Sequence, residues 1–351
     1  MRAIEGDLPT AEFYADFAEH EAVDCPLFAD WARGVAEDPD LLALLAELPE
    51  SKRQPNLVFA AARWHGADTR LTGDHRALRE VLLTEWPAVR STIESRATQT
   101  NETGRCATLL PQLARIEGTV ALLEVGPSAG LCLLPDRYSY EFRALGPDQP
   151  GGASGSDGGS VRLDPADGPS PVVLECVLTG IEPPARLPEV VWRGGLDLNP
   201  LDVQDDDAMA WLQTLVWPGH EERAQRLAGA IGVARELVAG GGGPARTGAA
   251  LHLRRGDLAE DLPALVAEAR AAVPEATVVV QHSAVLAYVP AEVRRRFVEV
   301  VQREADVWLS NEGSSILPGM PEPPRRPAFV LARDGQAVAF TQPHGAWARA
   351  V

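Results

Sequence analysis

The 351-residue chain is 45% hydrophobic, enough to bury a sizeable core in one large domain or two moderate ones. Its formal net charge of -18 speaks against a general nucleic-acid-binding surface, and no stretch approaches the roughly 18 apolar residues that argue for a membrane span. Cys25, Cys106, Cys132 and Cys176 lack C-x-x-C spacing and read as reduced thiols with no metal site, and without a basic-then-apolar leader the expected location is cytoplasmic.

Residues 1–115 carry helical spacing. Phe13, Phe17, Leu27, Phe28, Trp31 and Val35 recur at intervals of three, four and seven; Leu41, Leu42 and Leu45 continue after Asp38-Pro39, and Asn56–His65 and Asp74–Glu85 follow. The expectation is a helical cap subdomain over a following sheet. Between Val89 and Leu110 the residues Arg96, Gln99, Thr100, Asn101, Glu102 and Arg105 concentrate polar groups. They read either as solvated helix surface or as substrate contacts, since an arginine there could hold a carboxylate bidentately.

In Thr119–Leu134, TVALLEVGPSAGLCLL, an apolar run without alternation predicts a strand buried on both faces. A glycine turn and a helix are expected next, which would set backbone amides and a positive helix end at the strand's carboxyl edge. The plainer alternative is that the glycines only let a helix pack closely. The spacing is neither G-x-G-x-x-G nor a P-loop.

Arg137–Phe142, RYSYEF, alternates like a strand and carries Tyr138 and Tyr140. The Gly, Ser, Asp and Pro-rich run 145–171 reads as the tip of a hairpin that returns at Val172–Leu178, so an insertion is expected at about 137–180. Val190–Asp202 is a strand ending in Asp197, with Asn199-Pro200 as a helix start. Helix follows from Asp206 to Leu237, then a glycine-rich link at 239–248, a strand at Ala249–Asp257 and a helix at Leu258–Ala272. Thr277–Gln281 is a strand with His282-Ser283 at its end, Pro290 opens a helix, and Ala305–Leu309 is a strand running into Ser310, Asn311 and Glu312. Asp334-Gly335 marks a closing antiparallel hairpin.

Five runs in this order, R-x-x-Q-T-N-E-x-x-R-C, LLEVGPSAGL, GLDLNPLD, QHSAVLAYVP and PHGAW, resemble the actinobacterial family called domain of unknown function 2332 over nearly the whole chain. That family carries no established activity. The strand-end motifs also resemble those of class I S-adenosylmethionine (AdoMet)-dependent methyltransferases, whose first motif is E/D-x-G-x-G-x-G; Glu124, Gly126 and Gly130 match it, and Ser128 stands at the middle glycine.

The second resemblance implies an α/β fold over 116–351, a Rossmann-like methyltransferase sheet with the helical cap before it and the antiparallel hairpin at its end. It implies AdoMet as cofactor, with Glu124, Gly126, Ser128 and Gly130 around the amino-acid part, Asp197 on the ribose, and Asp257 and Leu258 at the adenine. The activity implied is methyl transfer to an unidentified small molecule, the alternative being a noncatalytic adenosyl-metabolite sensor or interaction protein. A structural cap is the alternative for Asp197, and a helix cap for Asp257. His282 is the general-base candidate, against a strand-end histidine bonded in the core. Arg96, Asn101, Glu102, Arg105, Tyr138, Tyr140, Asn311 and Glu312 are the expected substrate contacts. No nucleic acid, membrane or metal partner is expected.

Overall fold

A computed structural model describes residues 9–70, 73–146, 159–240 and 250–351. Part of the polar loop at 145–171 and most of the 239–248 link lie outside the described residues. The helices are α1 (Thr10–Asp16), α2 (Pro26–Glu37), α3 (Pro39–Ala46), α4 (Pro55–Trp64), α5 (Arg76–Thr84), α6 (Trp86–Ser95), α7 (Arg105–Leu113), α8 (Asp206–Thr214), α9 (Glu221–Val238), α10 (Leu262–Ala272) and α11 (Ala291–Glu304). The strands are β1 (Thr119–Val125), β2 (Ser139–Leu145), β3 (Ser160–Leu163), β4 (Val173–Thr179), β5 (Glu189–Asp197), β6 (Leu251–Arg255), β7 (Thr277–Ser283), β8 (Val307–Glu312), β9 (Phe329–Arg333), β10 (Gln336–Thr341) and β11 (Trp347–Ala350). Among the described residues, no helix is long and apolar enough to cross a membrane.

Two compact units form, one from residues up to Thr100 together with Asp206–Gln225, the other from Asn101–Asp205 and Arg226–Val351. The first unit is helical. Proline opens α2, α3, α4 and the first turn of α6, where its missing N–H has no helical partner to lose. Asp38 caps α3 by accepting the N–H groups of Asp40 and Leu41 at 3.0 and 3.3 Å. The periodic residues of the sequence meet in one aromatic core, where Phe28 stacks on Trp31 and Phe59 meets both edge-on.

The second unit is a mixed α/β fold on an eleven-stranded sheet, in the order β3-β2-β4-β11-β10-β9-β8-β7-β1-β5-β6. From β8 through β7, β1 and β5 to β6 every pairing is parallel. The continuous apolar reading of β1 has its reason in two buried faces. Ala121, Leu123 and Val125 pack with α10 and α11 on one side, while Val120 and Leu122 pack with Leu109 and Leu113 of α7 on the other. After β8 the sheet turns antiparallel, and Asp334-Gly335, with φ of +52° and +79°, makes the tight β9–β10 turn.

Three local expectations are corrected. Gly130 leads into a three-residue 3-10 turn, Leu131–Leu133, and not into an α-helix, because Pro135 follows and fully buried Arg193 holds Leu133 O and Asp136 at 3.3 and 2.7 Å. Asn199-Pro200 does not start a helix; α8 begins at Asp206. The run 172–178 does not return as the hairpin partner of β2. It pairs with β2 in parallel as β4, and the antiparallel partner of β2 is β3.

Candidate functional site

The parallel strands β1, β5, β6, β7 and β8 all end on one edge of the sheet, and the strand order reverses between β1 and β7. Such an edge is where open α/β sheets take ligands. Buried polar groups collect there: Glu124, Ser128, Gln281, His282, Ser283, Asn311, Glu312 and, from the end of β10, Thr341.

The glycine turn after β1 is closed by its own protein. The N–H of Gly126 donates to Leu196 O at 2.8 Å, that of Ser128 to Asp197 Oδ2 at 2.9 Å, that of Gly130 to Pro127 O at 2.8 Å and that of Leu131 to Asn101 Oδ1 at 3.0 Å. Gly126 and Gly130 adopt φ of +69° and +76°, so glycine is needed for the conformation. A Cβ would meet Val285 at 2.5 Å at the first and Leu251 at 2.9 Å at the second. Those amides are spent and those faces are filled, so the turn does not fit the amino-acid end of AdoMet. With only a 3-10 turn after it, no α-helix N-terminus supplies a positive end.

Ser128 sits in the left-handed region at φ +54°, as does Ala284 at φ +56° just after β7. Ser128 is held there from both sides, its N–H by Asp197 and its carbonyl by the N–H of Leu201 at 3.0 Å. Two non-glycine residues in this region at adjacent strand ends mark the edge as strained.

At the end of β5, Asp197 spends one lone pair of each oxygen on the backbone, Oδ2 on Ser128 and Oδ1 on the N–H of Asn199 at 2.8 Å. The residue is partly exposed. Beside it Leu198 is 70% exposed. At the end of β6, Asp257 Oδ1 accepts the N–H groups of Ala259 and Glu260 at 2.8 and 3.0 Å, as a cap does, while Leu258 packs against the core under α10.

Glu124 is buried beside Gln281, its register partner on β7. Burial, reinforced by the neighbouring Cys132, pushes its carboxyl well above the ordinary carboxylate range. Its Oε2 and the Oε1 of Gln281 are buried without a hydrogen-bond partner.

His282 is sealed. The ring is fully buried against Phe297 and Trp308; Nδ1 lies 2.8 Å from Glu312 Oε1, and Nε2 accepts the Trp308 indole N–H at 3.0 Å. That pattern fixes a neutral ring with its proton on Nδ1, and neither nitrogen faces a ligand. The general-base expectation is therefore corrected. Glu312 Oε1 also accepts the N–H groups of Val285 and Leu286, at 3.0 and 3.1 Å, so this carboxylate caps the β7 turn. Asn311 is likewise internal, accepting from Thr341 Oγ1 at 2.7 Å and donating to Ser283 Oγ at 3.1 Å.

Tyr138 and Tyr140 are also corrected, from pocket contacts to core. Both are fully buried, and their hydroxyls donate to Leu131 O and Pro135 O at 2.7 Å. Arg96 belongs to the helical unit, where its guanidinium lies over Trp64 and Trp211 at 4.9 and 5.1 Å and pairs with Asp207. Asn101, Glu102 and Arg105 stand in the sheet unit.

There the TNETGR segment meets the PHGAW segment. Arg105 donates from Nε to Pro343 O and from Nη1 to Ser283 O, both at 2.9 Å. Buried Glu102 accepts from Gly104 N–H at 3.1 Å and from Arg226 at 3.2 Å, and its Oε2 lies 3.2 Å from His344 Nδ1. Sequence reasoning missed His344, Arg226, Thr341 and Leu198 as members of this edge. PHGAW was a usable signal for His344, but its partners lie some 240 positions earlier in the chain. Among the described residues, no group of three or more His, Cys, Asp and Glu is arranged to hold a metal ion.

A family model described as "Uncharacterized protein conserved in bacteria (DUF2332)" matches residues 11–349. No curated protein matches the chain.

Proposed function

The chain belongs to the DUF2332 family of bacterial proteins, and from that premise we propose that its sheet unit binds an adenosyl metabolite by the nucleoside end, as a noncatalytic sensor or interaction protein. The observation that carries the reading is the partly exposed carboxylate of Asp197 at the end of β5, with the exposed Leu198 beside it. Two vicinal ribose hydroxyls match two carboxylate oxygens, and an exposed leucine offers an apolar surface for a purine ring. Asp257 and Leu258 lie at the end of the neighbouring strand, where the base would extend.

The closed glycine turn argues for recognition of the nucleoside and against a grip on an amino-acid tail. The sealed His282 removes the expected proton acceptor. AdoMet-dependent methyl transfer to an unidentified small molecule is the second reading, favoured by the parallel order β6-β5-β1-β7-β8, with β1 central and the Asp197 strand beside it. Calorimetry with AdoMet, S-adenosylhomocysteine and adenosine, followed by mass spectrometry for methyl groups transferred to a cell extract, separates the two. Binding without transfer supports the sensor, binding with transfer supports the enzyme, and no binding by folded protein rejects both.

A further inference from the structure

Of the 32 lysine and arginine residues in the chain, Lys52 is the single lysine. It ends the 3-10 turn Glu50–Lys52 of the helical unit, half-buried, and its Nζ donates to Arg96 O, the carbonyl at the exit of α6, at 2.5 Å. Holding a carbonyl does not call for lysine. Arg53, the next residue, holds Leu48 O at 3.0 Å and Ala46 O at 3.2 Å, and Arg63 holds Thr214 O and Val216 O at 2.7 Å. What lysine can do and arginine cannot is give up a proton and present a nucleophilic lone pair.

We propose that Lys52 is a modification site, its amine acylated by an activated acyl donor, an acyl phosphate or an acyl thioester, and that acylation loosens the exit of α6. The inference does not depend on nucleoside binding.

The surroundings favour the free amine. Lys52 has no ion-pair partner among the described residues; the charges about it are Glu94 of α6, Arg96, and Glu50 and Arg53 of its own turn. Burial holds its ammonium below the usual lysine range, against the opposing pull of Glu94. A neutral amine keeps two N–H groups, so one can stay on Arg96 O while the lone pair is left for an acyl carbon. In the step that lone pair attacks the acyl carbonyl carbon and an N–C bond forms. The bond from this carbon to the phosphate oxygen or the thiol sulfur breaks, its electron pair leaves with the phosphate or thiolate, and the amine proton passes to the leaving group or to water. The product is a neutral amide with one N–H in place of an ammonium with three, so the charge-assisted bond to Arg96 O is lost. A second link between the same two stretches, from Thr98 Oγ1 to Gln54 Oε1 at 3.2 Å, remains and keeps the change local.

The test incubates the folded full chain with acetyl phosphate and, separately, with acetyl-coenzyme A at about pH 7.5, where an ordinary lysine is almost wholly protonated. Nα-acetyllysine amide in the same tube is the reference amine, and peptide mapping by mass spectrometry separates Lys52 from the terminal amine. Acetylation of Lys52 about threefold or more faster than the reference is expected with one donor or both, and the donor that gives it identifies the source. A rate equal to or below the reference with both donors overturns the site. In the acetylated chain the amides of residues 96–100 should exchange with deuterium about threefold or more faster than in the untreated chain, while treated Lys52→Arg should show no change. Unchanged exchange in a fully acetylated chain overturns the loosening of α6.

Discussion

Asp197 Oδ2 accepts the Ser128 N–H at 2.9 Å, so one carboxylate ties the end of β5 to the turn after β1 and holds Ser128 in its left-handed conformation. The same carboxylate caps Asn199. Asp197→Ala leaves two backbone donors without their acceptor and is expected to cost roughly 1–3 kcal/mol of unfolding free energy. Asp197→Asn, which keeps one acceptor oxygen, should lose less. Urea unfolding of the two variants checks the order.

Gly126 is a packing glycine on this account. Gly126→Ala meets both an unfavourable φ and the Val285 side chain at 2.5 Å, and is expected to destabilise by roughly 1–3 kcal/mol. Combining it with Val285→Ala should recover part of the loss, as a double-mutant cycle would report. Strictly additive losses would mean that Val285 is not what fills the space.

The legible parts of the fold were those fixed by local rules. Val120–Val125 is uniformly apolar because alternate residues enter two different cores, and Asp334-Gly335 supplies the positive φ values that a tight hairpin demands. What the sequence could not reveal was pairing at a distance. The glycine turn looked like an open cradle because Asn101, Leu196 and Asp197, which take up its amides, lie 30 to 70 positions away. His282 looked like a base because Trp308 and Glu312, which seal it, belong to the next strand. The parallel placement of β4 on β2 was hidden for the same reason, since alternation identifies a strand without naming its neighbour.

His282 is structural on this reading. His282→Ala opens a cavity, strands the Trp308 N–H and takes one of three donors from Glu312 Oε1, and should cost about 2–5 kcal/mol. Adenosine affinity of whatever fraction remains folded should be unchanged. A stable, folded His282→Ala chain would contradict the sealed-pair description.

Glu124 makes stability depend on pH with a definite sign. Its carboxyl is raised by burial, so between the unfolded carboxylate value and the higher folded one the unfolded chain has released a proton that the folded chain keeps. Stability contributed by this group is therefore full in acid and declines as pH rises through that window, by at most about 1.4 kcal/mol per unit. Glu124→Gln, the neutral isostere, removes the dependence. Unfolding curves followed upward from the ordinary carboxylate range should show the variant gaining on the parent as pH rises; a difference constant from that range onward would mean that the Glu124 carboxyl is not raised in the fold.

The central claim is that the end of β5 recognises a nucleoside. Isothermal titration of adenosine into the folded parent chain and into Asp197→Ala tests it most directly. The account expects measurable binding by the parent, an affinity for AdoMet of the same order because the glycine turn offers its tail no amides, and a loss of roughly 10- to 100-fold in the variant. No heat of binding with adenosine or AdoMet, or an affinity that Asp197→Ala leaves unchanged, would contradict it.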